Sequence, residues 1–410
     1  MRATTRLPAF FLTLGLALLS REASAFEWEL DVDGRLVSSN GQKSAMSGGL
    51  GELRFGESKS GVQLGRARLA LSQPVGNVLA LHLDASYWGD DDKSPVDVTE
   101  AYAEYRPYPI DGFRVRVRGG AFYAPISLEN RAAGWESPYT LSSSAINNWI
   151  AEEVRTIGLE TQAEWLGTRL GHSFDLSVVG AVYRWNDPIG GVLASKGFGI
   201  SDRQTGLFGR VGMPGVAPLR GREPFHEIDG RTGYYGGLEL RYLDRLTLRA
   251  LHYDNRADPT AYDARLNDYA WQMKFDSAGA RYESPGGWTL ITQWLQGETY
   301  VDAPASEREW PFNARFFLIS KRFGRHSLSA RYDDFSIGFS INDFDLGEQT
   351  GHAWTLAYVA ELTPNWRVTL EWVRVDSNLK PRSFYLGEAP GAIERGLQLA
   401  VRYAIGPGVR

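Results

Sequence analysis

The segment Gly351–Val375, GHAWTLAYVAELTPNWRVTLEWVRV, decides the fold. Successive side chains of a strand point to opposite faces. Trp354, Leu356, Tyr358, Ala360 and Leu362 therefore share one face, with Thr355, Ala357 and Glu361 on the other. Leu362-Thr363-Pro364-Asn365 supplies turn chemistry, after which Trp366, Val368, Leu370 and Trp372 alternate with Arg367, Thr369 and Glu371. Further on, Leu397, Leu399, Val401 and Tyr403 alternate with Gln398 and Arg402. One hairpin with an apolar face and aromatic ends fits a soluble sandwich as well as a membrane barrel, so its repetition has to decide.

Working outward, the same period-two pattern predicts strands at Phe26–Val37, Gly61–Ser72, Val78–Trp88, Val96–Arg106, Phe113–Ala124, Val154–Leu166, Ser173–Trp185 and Gly233–Tyr242. Arg245–Tyr253, Asp268–Glu283, Trp288–Glu298, Phe312–Arg322, Ser327–Ser336, Gly351–Glu361, Trp366–Val375 and Gly396–Ile405 bring the count to sixteen, with fourteen and eighteen as the neighbouring counts. The gaps alternate between short and long. The short ones begin at Gln73, Pro107, Leu166, Leu243, Pro285, Phe323 and Leu362. The long ones are rich in Gly, Asp and Asn and reach more than forty residues between Asn186 and Thr232. Loops sorted by length onto the two ends of the strands are the mark of an all-β, antiparallel up-and-down barrel in an outer membrane. Such barrels carry tight periplasmic turns and long extracellular loops.

Composition agrees. Arg2 and Arg6, the apolar run Leu7–Leu19 and Ala23-Ser24-Ala25 read as a signal peptide over residues 1–25, leaving 26–410 as a single barrel. Without residues 1–25 there remain 41 basic and 48 acidic residues, a net charge of −7, which argues against a nucleic-acid partner. The absence of cysteine excludes disulfides and thiolate metal sites. Thirteen Trp, nineteen Tyr and nineteen Phe suit interfacial girdles in contact with outer-membrane lipid.

Arg114, Arg116 and Arg118 share one face of their strand, and Arg66 and Arg68 repeat the pattern. Arginine facing lipid near the midplane costs roughly 2–4 kcal/mol, so these five are expected to line the pore, with Asp84, Glu100 and Glu104 as nearby counter-charges. They form either a salt-bridged wall or a ladder that holds anions. Pro125–Glu153 carries Leu128, Trp135, Tyr139, Leu141, Ile146, Trp149 and Ile150, an apolar load unsuited to water. The segment is expected to fold inward as a constriction loop, with Glu129, Arg131, Glu136, Glu152 and Glu153 edging the opening, where fixed charges set selectivity. Covering the barrel mouth or a neighbouring subunit is the alternative. Trp135, Tyr139 and Trp149 also allow a sugar path. Asp90-Asp91-Asp92 lacks the glycine and glutamate of a calcium loop, and the six histidines are too scattered for zinc, so no metal or cofactor is expected. Ser142-Ser143-Ser144 has no histidine nearby and no G-x-S-x-G occurs, which leaves little for a hydrolase.

Gly119-Gly120-Ala121-Phe122-Tyr123-Ala124-Pro125-Ile126-Ser127-Leu128-Glu129 resembles the run before the third loop in the phosphate-selective porin family, and Arg155-Thr156-Ile157-Gly158-Leu159-Glu160 is similar to its next strand. The resemblance covers about fifty residues and implies a sixteen-stranded homotrimer that passes anions along an arginine ladder, here Arg114, Arg116 and Arg118. Two features depart from the family. Pro125–Glu153 holds no lysine and a single arginine, and Gly406–Arg410 follows the last strand where barrels commonly end on an aromatic residue. The expected function is passive diffusion of small hydrophilic solutes or ions, with a plugged structural or surface-binding barrel as the alternative and a barrel hydrolase behind it.

Overall fold

Alternation repeated along the chain builds sixteen long strands, each antiparallel to its neighbours in chain order. The computed structural model describes residues 26–90, 95–212, 221–303, 306–341, 344–345 and 348–407. The expected signal peptide, Asp91 and Asp92 therefore lie outside the described residues, as do the last three positions. The first eight strands are β1 (Glu27–Ser39), β2 (Gly61–Val75), β3 (Leu79–Tyr87), β4 (Val96–Tyr105), β5 (Phe113–Phe122), β6 (Thr156–Trp165), β7 (Phe174–Arg184) and β8 (Gly233–Tyr242). The second eight are β9 (Leu246–Asp254), β10 (Gln272–Glu283), β11 (Trp288–Ala303), β12 (Ser306–Phe323), β13 (His326–Ile337), β14 (Gln349–Glu361), β15 (Trp366–Leu379) and β16 (Gly391–Ile405).

β1 pairs with β2 on one side and with β16 on the other, where Leu30 faces Ile405 and Ser39 faces Gly396. That closes the sheet. A closed sheet has no unpaired edge, which is the condition for strands to cross a bilayer. Among the described residues no helix is long and apolar enough to cross one. Tight turns fall at the seven expected places. In the turn from β8 to β9, Leu243 and Asp244 take φ of 50° and 51°, the left-handed pair of a primed turn, closed by the Arg245 N–H donating to the Tyr242 carbonyl at 3.0 Å.

The outward face is apolar and bare. Leu356, Leu370, Leu397, Leu399 and Val401 are exposed. At the turn-side strand ends stand Tyr105, Phe113, Phe174, Tyr242, Tyr282, Trp288, Phe323, Trp366 and Tyr403, also exposed. A belt of this extent needs lipid to cover it. With tight turns at one end and long loops at the other, the protein is a bacterial outer-membrane barrel.

Three features depart from a strict reading of period two. Tyr300 pairs with Glu309 and Ala303 with Ser306, so the 299–311 stretch expected as loop is mostly a continuation of β11 and β12. In β2, Asp33 faces Arg66 while Gly34 faces Leu64, which leaves Gly65 as a bulge. The bulge reverses the parity, so Val62 and Leu64 point outward although they are in step with the inward Arg66 and Arg68. The inner wall is also not uniformly wet. Met273, Phe275, Ile291, Leu295, Phe312, Ala314, Phe316 and Leu318 on β10–β12 are buried inside the barrel, in one apolar core with residues from the long loops.

Candidate functional site in the lumen

β5 carries Arg114, Arg116 and Arg118 on the lumen side, as their spacing requires. Directly opposite, β6 sets Glu164, Gln162 and Glu160. Arg118 donates from Nε to Glu160 at 2.8 Å, and its Nη2 lies 2.7 Å from the same carboxylate. Arg114 donates to Glu164 and Arg116 to Gln162. Glu104 lies 3.4 Å from Arg116, as a counter-charge should. Glu100 instead accepts the backbone N–H of Tyr123 at 3.0 Å. Arg68 is held by Glu29 at 2.8 Å, Asp31 at 3.2 Å and Asp84 at 2.6 Å; Arg66 is held by Asp31 at 3.4 Å and by Glu136. The five arginines thus form two groups, each with its own acids, and the stripe on β5 carries little net charge.

Two glycines seat this wall. Gly120 has φ of 132°, and a Cβ there would lie 2.3 Å from the carbonyl of Ala101. At Gly158 a Cβ would lie 2.1 Å from the carbonyl of Val182. Each faces a tyrosine, Tyr102 and Tyr183, and no larger residue fits under them.

The segment between β5 and β6 packs against the interior of the wall. Its helix α1 (Ala145–Glu153) is capped by Ser144, whose side chain accepts from the N–H of Asn147. Trp149 is buried, with ring centroids 5.3 Å from Phe275 and 5.2 Å from Phe312. The polar docking is by residues that the sequence did not single out. Arg331 on β13 donates to Glu129 at 2.6 Å, Asp333 at 2.8 Å and the carbonyls of Ser142 and Ser143 at 2.7 and 2.9 Å. Glu371 on β15 accepts from the N–H of Leu141 at 2.6 Å. Asp333 accepts from that of Ala145 at 3.0 Å.

The charges expected to edge an opening therefore divide. Glu129 is fully buried in the Arg331 network. Glu152 is paired with Lys196 at 2.7 Å, both out of water. Glu153 accepts the Trp149 Nε1–H at 2.8 Å and the amides of Val192 and Leu193 at 2.7 and 2.9 Å, in the short helix α2 (Gly191–Lys196). Burial pushes Glu153 up to about 7 against those donors. Only Arg131 is largely open to water, 44% exposed beside Glu283 at 3.6 Å; Glu136 is partly exposed and held by Arg66 and Arg402. Trp135 is part-exposed and stacks on Tyr123 at 4.0 Å, whereas Trp149 and Tyr139 belong to the core and offer no face to a solute.

Ser142 and Ser143 are engaged by Arg331 and Asn130, Ser144 caps α1, and among the described residues no histidine joins them. Asp90 is paired with Arg54 at 2.7 Å. Asp187, Glu227 and Asp229 bring carboxylate oxygens within 4.8 Å of one another in the loop after β7. Burial and the two neighbouring acids raise Asp187 to about 7, against two backbone N–H donors.

Of the hollows among the described residues, two lie beside the wall. One of about 340 Å³ lies between β1–β4 and residues 130–135. The other, about 210 Å³, lies between Pro125 and the wall, and Arg106, Arg116, Glu164, Glu239, Arg241 and Arg249 line it.

No family model and no curated protein matches the chain. Solved structures do. An anion-selective porin from Comamonas acidovorans superposes with a TM-score of 0.52 at 16% identity, over 94% of this chain and 100% of its own. The outer membrane channel DcaP of Acinetobacter baumannii gives 0.53 at 10% identity, over 93% and 96%. The trimer form of OmpT, an outer membrane protein of Vibrio cholerae, gives 0.51 at 10% identity, over 94% and 100%. At these identities the likeness is one of fold, and the fold is that of a porin barrel.

Proposed function

We propose that the protein is a porin that lets small hydrophilic solutes and ions diffuse passively across the outer membrane, with residues 125–153 narrowing the lumen. The observation that carries this reading is the polar wall of β1–β6, lined by paired charges, beside an inward loop that leaves Arg131 exposed and Glu136 partly so. Such a wall solvates a passing ion or polar solute without trapping it. An anion preference rests on Arg66, Arg68, Arg114, Arg116 and Arg118, and the acids opposite them make it a weak one. Assembly as a homotrimer is supported by the resemblance and by the trimeric form of the OmpT neighbour.

The apolar filling of the β10–β12 side favours a second reading, a barrel occluded by its own loops that serves a structural or surface-binding role. Planar-bilayer recording under a KCl gradient separates the two. Discrete conductance steps with a small reversal potential are expected; a silent bilayer containing verifiably inserted protein would favour occlusion.

A further inference from the structure

The long loop after β7 enters the barrel and stays there. Residues 186–207 run nearly a full circuit along the inner wall, from β7 round to β4. Asn186 accepts the Tyr253 hydroxyl of β9 at 2.6 Å. A Cβ at Gly190 would lie 2.4 Å from Thr299 Oγ1 on β11. The Phe198 N–H donates to Gln349 Oε1 on β14 at 2.7 Å. Asp202 reaches Arg35 of β1 at 2.6 Å, and the Leu207 N–H donates to the Val98 carbonyl of β4 at 2.8 Å.

This collar closes on α1. A helix standing in a wet lumen would keep one face polar and hydrated, yet all nine residues of α1 are buried. The collar supplies the cover. Phe198 meets the Trp149 ring edge-on at 6.4 Å, Lys196 pairs with Glu152, and the amides of α2 hold Glu153. At the two ends of α1, the Ser143 N–H donates to the Ser201 carbonyl at 3.0 Å, and the Ala151 carbonyl accepts the Thr205 N–H at 3.1 Å. Charges stay out of water only when they are paired. Glu152 and Glu153 can therefore lie across the lumen only while the collar is in place.

The collar is fastened differently along its length. Ile189, Leu193, Phe198 and Ile200 sit in the apolar core. Beyond them the fastening is ionic, with Asp202 bridging Arg35 and Arg54, the latter at 3.0 Å. Each arginine also has an acid of its own: Asp33 accepts from Arg35 Nε at 2.8 Å, and Asp90 lies 2.7 Å from Arg54. Neutralising Asp202 thus loosens the collar and leaves both arginines paired.

We propose that residues 186–207 are the stopper of this channel: they hold α1 across the lumen, and Asp202 is the latch that fastens them to β1. The inference deepens the porin reading and rests on it in one respect, that the barrel conducts once it is unblocked.

Planar-bilayer recording on the folded full-length barrel tests it. Replacing Gly190–Gln204 by Gly and Ser at equal length removes the side chains of the collar and keeps the chain connected. This variant is expected to conduct severalfold more per channel than the wild type, and Asp202→Asn to raise conductance by a smaller factor. The chain has no cysteine, which permits a reversible lock. Leu53 and Ile200 are bridge partners, and bridged segments lie about 4.8 Å apart, within reach of a disulfide. With Leu53→Cys and Ile200→Cys added to Asp202→Asn, the oxidised protein should hold the wild-type conductance and dithiothreitol should release it. Heat-modifiable gel migration identifies the variants that fold. A folded linker variant with wild-type conductance, or a cysteine pair whose oxidation changes nothing, overturns the stopper and leaves the porin reading standing. A silent wild type beside a conducting linker variant supports the stopper and overturns passive diffusion through the native protein. Silence from both overturns the two together.

Discussion

Arg331 illustrates what one residue does in this barrel. Its guanidinium is fully buried between two acids, Glu129 and Asp333, and two loop carbonyls. Removing one partner of such a network leaves charge uncompensated in a dry site, which typically costs about 3–5 kcal/mol. Arg331→Met is therefore expected to lower the melting temperature of the folded barrel on gels. In a bilayer it should make the conductance noisier, because the inward loop loses its clamp. The paired stripe allows a sharper test. Arg118→Gln strands Glu160 in the lumen and should move the reversal potential toward cations. Adding Glu160→Gln should return it close to the wild-type value. If the single substitution leaves the potential unchanged, the pair is structural only.

The inward loop behaves as an element through the contact of α1 with α2. Glu153 titrates near 7, above the ordinary carboxylate range, so the folded state holds its proton more tightly than the opened state does. The sign follows from linkage: the stabilisation is complete at acid pH, declines as pH rises toward 7, and changes no further above it. The slope is at most about 1.4 kcal/mol per pH unit for one proton. Hydrogen exchange at Val192 and Leu193, corrected for intrinsic rates, should report easier opening at pH 8 than at pH 5. Glu153→Gln should flatten that dependence. Replacing Arg131–Ser144 by a short linker should raise single-channel conductance, and an unchanged value would place the narrowest point elsewhere.

For the whole molecule, the outward belt sets the depth in the membrane. Leu370 lies in its middle, while Arg374, two repeats of the pleat further along β15, is already charged and pairs with Asp376 at 3.4 Å. The belt ends between them. Leu370→Arg is expected to cost about 2–4 kcal/mol in urea-dependent folding into vesicles, as charge near the midplane does. A cost near zero would move the belt away from that position.

The chain alone pointed to the barrel, to sixteen strands with fourteen and eighteen beside them, and to the seven turns, because period two and turn chemistry are local properties that each residue reports about its own neighbours. It also marked 125–153 as too apolar for water. Tertiary structure decided the rest. Glu160, Gln162 and Glu164 show the same spacing as the arginines, but only the register of β5 against β6 makes them partners. Arg331 and Glu371 look like ordinary lumen residues until the loop arrives to cover them. The bulge at Gly65 and the continuation of β11 and β12 past Glu298 depend on how strands pair, which no single strand records. Whether a charge stays partly exposed or becomes a buried anchor, as with Glu136 and Glu129, depends on what closes over it. That is a property of chain segments far apart in sequence, and it is fixed only when they meet.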